Sequence, residues 1–107
     1  MEKELIQHML ETECLPGLWF GSYDEEIMTR IGWYMCGFVD AFCPNPTTEK
    51  ASFWKQFTAL VVEYLNSSDP SDYSQEWARL IQMYIDNPKE QINAFYNILH
   101  EYKRRNL

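Results

Sequence analysis

Few side chains in this sequence have the types and spacing that chemistry requires. Glu4, His8 and Glu11 would lie on one face of a helix, where three such groups could hold a metal ion. A di-metal bundle, however, needs a Glu-x-x-His motif from each of two helices, and His100 has no Glu three residues before it. We therefore expect Glu4, His8 and Glu11 to form a solvated polar face, and we expect no metal and no cofactor.

The cysteines and histidines do not form a recognisable catalytic set. Cys14, Cys36 and Cys43 have no CxxC spacing, and we expect them to be small core residues rather than zinc ligands. A nucleophilic enzyme needs a histidine beside its Ser or Cys, but the two histidines, His8 and His100, lie at opposite ends of the chain. There is no Gly-rich phosphate loop. An enzyme would require Glu4, His8 and His100 to converge in one pocket, and the sequence favours a binding protein instead.

The charge of the chain restricts its partners. Sixteen acidic residues stand against nine basic ones, and the net charge is -7. Nucleic acids and anionic membranes require a basic surface, whereas an acidic surface attracts a basic protein. An acidic surface is also typical of a protein that simply stays soluble. The N-terminus lacks the apolar core of a signal peptide, and no stretch approaches the roughly 18 apolar residues of a membrane span, so we expect a cytoplasmic location.

Apolar spacing and cap residues predict an all-α fold, an irregular bundle of about five helices around an aromatic-rich core, with residues 1–107 as one domain. The predicted helices run from about Glu2 to Cys14, from about Tyr23 to just before Pro44, from Thr47 or Thr48 to about Leu65, from Asp69 or Ser71 onward, and from Asn87 onward.

The second predicted helix should be the most buried one. Ser22 and Glu25 have the spacing of a capping box that would start it. Trp33 extends its apolar surface nearly all round, and Gly32 and Gly37 would allow a neighbouring helix to approach closely. We also expect the apolar connector before it, including Leu18, Trp19 and Phe20, to pack into the core.

Two segments combine aromatic and acidic side chains in the manner of protein interfaces, which favour aromatic anchors surrounded by charge. The first contains Tyr23, Asp24, Glu25 and Glu26, and the second contains Asp69, Asp72, Tyr73 and Glu76. Tyr73 falls off the apolar stripe and should be exposed. Each segment also matches an ordinary capped, hydrated helix start, which the sequence favours over an interface.

Asp40 interrupts an apolar run, and an ionised carboxylate is costly to bury without a partner. Three interpretations remain open from the sequence. Asp40 reaches solvent near the helix end, forms a buried pair with Arg30 or Arg79, or anchors a cation of a partner.

In size, acidity and helical layout, the whole chain resembles the small immunity proteins of bacterial toxin systems, of the contact-dependent growth inhibition and colicin types. The DPSDY stretch from Asp69 to Tyr73 is loosely similar to the acidic, tyrosine-bearing helix start of the colicin-type proteins. The chain departs from them in having five predicted helices rather than four. The resemblance implies a one-to-one inhibitor that covers the active site of a basic toxin domain, such as a nuclease.

Two other binding functions are compatible with the same composition. An adaptor or regulatory module would use the same aromatic residues with a different partner. A phage-type inhibitor that mimics nucleic acid would carry denser rows of carboxylates than sixteen in 107 residues.

Overall fold

The computed structural model describes all 107 residues and contains six α-helices, two 3₁₀ helices and no strand. The α-helices are α1 (Glu2–Glu11), α2 (Pro16–Phe20), α3 (Ile27–Phe42), α4 (Thr48–Tyr64), α5 (Trp77–Tyr84) and α6 (Pro88–Asn106). The prediction of an all-α bundle is therefore confirmed. None of these helices is long and apolar enough to cross a lipid bilayer.

α4 and α6 begin where their cap residues predict. The side chain of Thr47 accepts a hydrogen bond from the backbone N–H of Lys50 at 3.1 Å. The Asn87 side chain accepts from the N–H groups of Lys89 and Glu90, at 2.9 and 3.2 Å, directly before Pro88. Such caps satisfy backbone donors that no earlier carbonyl can reach, so they act locally and can be predicted from sequence.

The first predicted helix ends in a 3₁₀ helix rather than continuing as an α-helix to Cys14. α1 stops at Glu11, and Thr12–Cys14 form a 3₁₀ helix. Thr12 is buried, and its hydroxyl donates to the carbonyl of Met9 at 2.6 Å while lying 2.6 Å from the hydroxyl of Tyr96. This bond back to the preceding turn competes with the regular α-helical pattern.

The connector after α1 is only partly in the core. It contains α2, which begins at Pro16, and of its three large apolar residues only Phe20 is buried. Leu18 is 79% exposed and Trp19 is 46% exposed, so the expectation that all three pack inside is wrong for these two. A helix of five residues presents only one narrow face to the core, and that face carries Phe20.

The start of α3 is also four residues later than predicted. Arg30 donates to the carbonyls of Phe20, at 2.7 Å, and Ser22, at 2.6 Å, and to the Asp24 carboxylate at 3.0 Å. Asp24 in turn accepts from the N–H of Glu26 at 2.9 Å. These bonds hold residues 21–26 in a turn, so the predicted Ser22 capping box does not form and α3 begins at Ile27.

The fourth predicted helix is divided. Asp69 caps a 3₁₀ helix at Pro70–Ser74, accepting from the N–H of Ser71 at 2.9 Å. Gln75 and Glu76 are extended, and the Glu76 carboxylate caps α5. Two separate caps thus replace the single start that the sequence predicts at Asp69 or Ser71.

The core is built from aromatic rings of three helices. Trp77 of α5 stacks on Phe95 of α6 with ring centroids 5.4 Å apart and meets Phe57 of α4 edge-on at 5.1 Å. Offset and edge-on contacts at these distances are favourable beyond the apolar area that they bury. α6 buries more residues than α3, contrary to the expectation that the second predicted helix is the most buried one. Trp33 of α3 is 75% exposed.

Candidate partner-binding surface

α5 lies between the two predicted binding segments, and both contact its C-terminal end. It buries Trp77, Ala78, Leu80 and Ile81 and leaves Arg79, Met83 and Tyr84 exposed. It packs antiparallel along α3, where a Cβ on Gly32 would lie 3.1 Å from the Cβ of Ala78. Of the two glycines predicted to allow close helix approach, Gly32 does so and Gly37 faces open space.

The first predicted segment lies beside the C-terminal end of α5. The Gln82 side chain donates to the Thr29 hydroxyl at 3.0 Å and to the carbonyl of Glu25 at 3.4 Å. This places the backbone of Glu25 next to the last turn of α5, and the side chains of Glu25 and Glu26 are both exposed.

The second predicted segment reaches the same end of α5 through Asp72. The Asp72 carboxylate accepts hydrogen bonds from the hydroxyls of Tyr84 and Ser67. Its bond from Tyr84 raises the pKa of that phenol, because losing the proton would place two negative charges together. Asp72 was predicted to touch a partner, but it is only 3% exposed and presents almost no surface for such a contact. It instead holds the Asp69–Ser74 segment against α5.

We call the resulting patch the α5-end surface. It combines three exposed large side chains with four exposed carboxylates, namely Tyr73, Met83, Tyr84, Glu25, Glu26, Asp69 and Asp86. Tyr73 is 59% exposed, as predicted. The last turn of α5 has no basic residue, so the negative end of its dipole adds to these charges.

The acidic residues of this surface differ from most others in having no cationic partner. Elsewhere eight of the sixteen carboxylates lie within 4.0 Å of a basic group: those of Glu4, Glu11, Glu13, Asp24, Asp40, Glu49, Glu63 and Glu101. None of the four carboxylates of the α5-end surface is in such a pair. These four carboxylates therefore have no cation within ion-pair distance, although the exposed Arg79 lies one turn before Met83 on the same side of α5.

Four of the predicted binding residues lie elsewhere. Tyr23 packs over Gly17, with its ring 3.7 Å from a Cβ at that position. Asp24 forms an ion pair with Arg30. The hydrogen bond from the Glu26 N–H, and to a lesser extent this pair, lower the pKa of Asp24. Glu76 caps the opposite end of α5.

Asp40 is the fourth of these residues. Its side chain is 61% exposed and pairs with Lys50, so the solvent-exposed interpretation is correct and neither Arg30 nor Arg79 is its partner. The carboxylate thus needs no buried cation to compensate it.

Met83, Tyr84 and Asp86 belong to the surface although the sequence did not single them out. Tyr84 falls on the apolar stripe of its helix, which predicts an inward position, yet it is 44% exposed with its hydroxyl directed to Asp72. Asp86 precedes the Asn87 cap, and its acidic type next to a helix start was the one available signal.

His8 occupies an aromatic environment rather than the expected solvated face. Its ring stacks on Phe38 at 4.8 Å between centroids, and its Nε2 lies 2.6 Å from the hydroxyl of Tyr34. His100 lies 2.8 Å from the carboxylate of Glu13 instead. No group of three or more His, Cys, Asp or Glu side chains is arranged to hold a metal ion.

The cysteines are free and are not core residues as expected. Cys14 and Cys36 are exposed, and Cys43 is half-buried. Cys36 lies on the exposed side of α3, one turn beyond Trp33.

Comparison of the chain with protein-family models, with curated proteins and with solved structures gives no match.

Proposed function

We propose that this protein acts by binding a basic protein through the α5-end surface, and that the partner is a toxin domain which it neutralises one to one. The observation that carries the proposal is that exposed Tyr73, Met83 and Tyr84 occur near the C-terminal end of α5 together with four exposed carboxylates that have no ion-pair partner. Exposed aromatic and Met side chains are enriched at the centres of interfaces, and the surrounding charge speeds the encounter with an oppositely charged partner.

Neutralisation is the part of the proposal that comes from the resemblance to bacterial immunity proteins. A nuclease domain uses cations to hold phosphate, and carboxylates presented beside the ends of packed helices, as Glu25, Glu26, Asp69 and Asp86 are here, can occupy those cations. The clasp of Asp72 with Tyr84 and Ser67 supports this function, because it fixes the segment that presents Tyr73 before binding.

The structure offers less support for a nucleic-acid mimic. Such a protein would present a continuous row of carboxylates at phosphate spacing. Half of the carboxylates here are instead engaged by neighbouring basic groups, among them Asp24 by Arg30 and Asp40 by Lys50.

Co-expression with the product of the immediately upstream gene tests the proposal. We expect that product to contain a basic domain that arrests growth when expressed alone, that growth returns when this protein is present, and that the two purify as a one-to-one complex. A complex without growth rescue would favour an adaptor. Absence of both complex and rescue would contradict the proposal.

A further inference from the structure

A pocket lies at the N-terminal end of α5, opposite the α5-end surface. It has a volume of about 370 Å³ and is formed where α3, α4 and the start of α5 meet. We call it the Trp54 pocket, and its lining includes Cys36, Trp54, Thr58, Glu76 and Trp77.

Its aromatic wall is held in place by the core. Trp77 is 3% exposed and is fixed by stacking on Phe95 and by its edge-on contact with Phe57. Trp54 is half-buried, and the centroid of its ring lies 5.0 Å from the ring centroid of Phe53. A wall fixed in this way loses little conformational entropy when it is covered by another molecule.

Its charged group is a carboxylate without a cation. Glu76 accepts from the N–H groups of Ala78 and Arg79, both at 3.1 Å, and these bonds fix its position. No basic side chain lies within 4.0 Å of the Glu76 carboxylate. Its full negative charge is larger than the partial positive charge at the start of α5, so the site remains negative.

The carboxylate of Glu76 also affects the thiol of Cys36. Partial desolvation of the sulfur raises the pKa of Cys36, the negative charges of Glu76 and Asp40 raise it further, and Lys50 opposes them. A cation entering the pocket would therefore be favoured over an anion.

We propose that the Trp54 pocket receives an arginine side chain of a basic partner, with the guanidinium against the Trp54 ring and paired with Glu76. The proposal rests on the proposed function for the presence of such a partner. Arginine fits better than lysine, because its guanidinium is flat, weakly hydrated, stacks on aromatic faces and can donate two parallel bonds to a carboxylate.

Trp33 would extend this contact along α3. It is 75% exposed and lies one helical turn before Cys36 on the same side of the helix. An exposed indole beside a pocket for a cation has the features of an interface anchor, since Trp and Arg are the side chains most enriched at binding hot spots.

Titration of the intact protein with N-acetylarginine amide, followed by amide and indole NMR shifts, tests the site without the partner. We expect the shifts to centre on Trp54, Glu76 and Cys36. N-acetylcitrulline amide has the same shape without the charge, and N-acetylnorleucine amide is apolar; both should bind more weakly. Shifts centred elsewhere, or equal binding of all three compounds, would overturn the proposal.

Variants separate stacking from ion pairing. Trp54→Leu should weaken binding of the arginine compound about threefold, and Glu76→Gln should remove its preference over the citrulline compound. Trp54→Phe keeps an aromatic face and should bind nearly as wild type if Trp54→Leu proves unstable. Trp19→Ala, at an exposed tryptophan on α2, is the matched control and should leave binding unchanged.

Failure of the pocket proposal and failure of the proposed function can be distinguished experimentally. Arginine binding in the Trp54 pocket with no growth rescue by the intact protein would contradict the proposed neutralisation of a toxin and would support the arginine site. Rescue by both wild type and Trp54→Leu with equal partner affinity would contradict the pocket and keep the function.

Discussion

At the scale of single residues, Trp33 and Trp77 have opposite surroundings although each stands on an apolar helix. Trp77 is 3% exposed between Phe57 and Phe95, and Trp33 is 75% exposed. Trp77→Ala should lower the free energy of unfolding by about 3–5 kcal/mol, the usual cost of a large core deletion. Trp33→Ala should change it by less than about 0.5 kcal/mol. Urea unfolding followed by circular dichroism measures both, and equal losses would contradict the assigned burial.

The contrast also shows what residue patterns could not predict. Apolar residues surround α3 on nearly all sides, and periodicity alone does not reveal which of them a neighbouring helix covers. α5 packs on the side of Gly32, so Trp33 is left outside. Asp72 is the reverse case. Its acidic type predicts exposure, but Tyr84 and Ser67 satisfy its oxygens in a buried position.

The hydrogen bonds from Tyr84 and Ser67 to Asp72 lead to a second prediction at this scale. Asp72→Ala removes the charged acceptor of the Tyr84 and Ser67 hydroxyls, which then have only each other, and should cost about 1–3 kcal/mol of unfolding free energy. In Asp72→Asn the pKa of Tyr84 should fall back toward its ordinary value, because the negative acceptor is gone. Ultraviolet titration of the phenol, with Tyr84→Phe to assign the signal, measures this shift. An unchanged tyrosine titration would show that the clasp does not form in solution.

At the scale of helices, the boundaries that depend on local caps were predictable and those that depend on distant contacts were not. Thr47 and Asn87 bond N–H groups within three residues, and α4 and α6 begin where they predict. The start of α3 is instead controlled by Arg30, which binds carbonyls eight and ten residues earlier in the chain. The two candidate segments were recognised in the sequence as aromatic-acidic patterns, but their approach to the end of α5 depends on packing that no pattern shows.

The two glycines of α3 give a prediction for this helix. Gly37 has no atom within 4 Å of an added Cβ, so Gly37→Ala should stabilise the protein by about 0.5–1 kcal/mol through helix propensity. Gly32→Ala should not, because the new Cβ would lie 3.1 Å from that of Ala78 and would push α5 away from α3. Thermal unfolding compares the two variants. Similar gains from both would indicate that α3 and α5 are not in close contact.

At the scale of the whole molecule, ion pairs on the surface predict a loss of stability in acid. Arg105 donates to Glu63, at 2.8 and 2.9 Å, and to Glu101. These bonds lower the pKa of Glu63, while Arg104 and then Arg105 lower that of Glu101 to about 2. A lowered carboxyl pKa stabilises the fold above the unfolded-state value, and that contribution is lost as the pH falls toward the folded-state value.

Stability should therefore decline between about pH 4.5 and about pH 2, and the decline should be smaller at high salt because these groups are exposed. Arg105→Gln should raise the pKa of Glu63 and flatten the decline. Urea midpoints across this pH range, with Lys103→Gln as a control of equal charge change, measure the effect. Identical pH profiles for Arg105→Gln and wild type would contradict the pairing.

The central claim is that the α5-end surface binds a basic partner, and charge reversal within the growth-rescue complex tests it most directly. Glu25→Lys with Asp86→Lys should slow association strongly at low salt and little at high salt, because long-range attraction is screened. Glu11→Lys with Glu49→Lys changes the net charge equally on α1 and α4 and should retain most of the wild-type association rate. Equal slowing by both pairs, or greater slowing by the second pair, would show that the partner binds elsewhere and would contradict the claim.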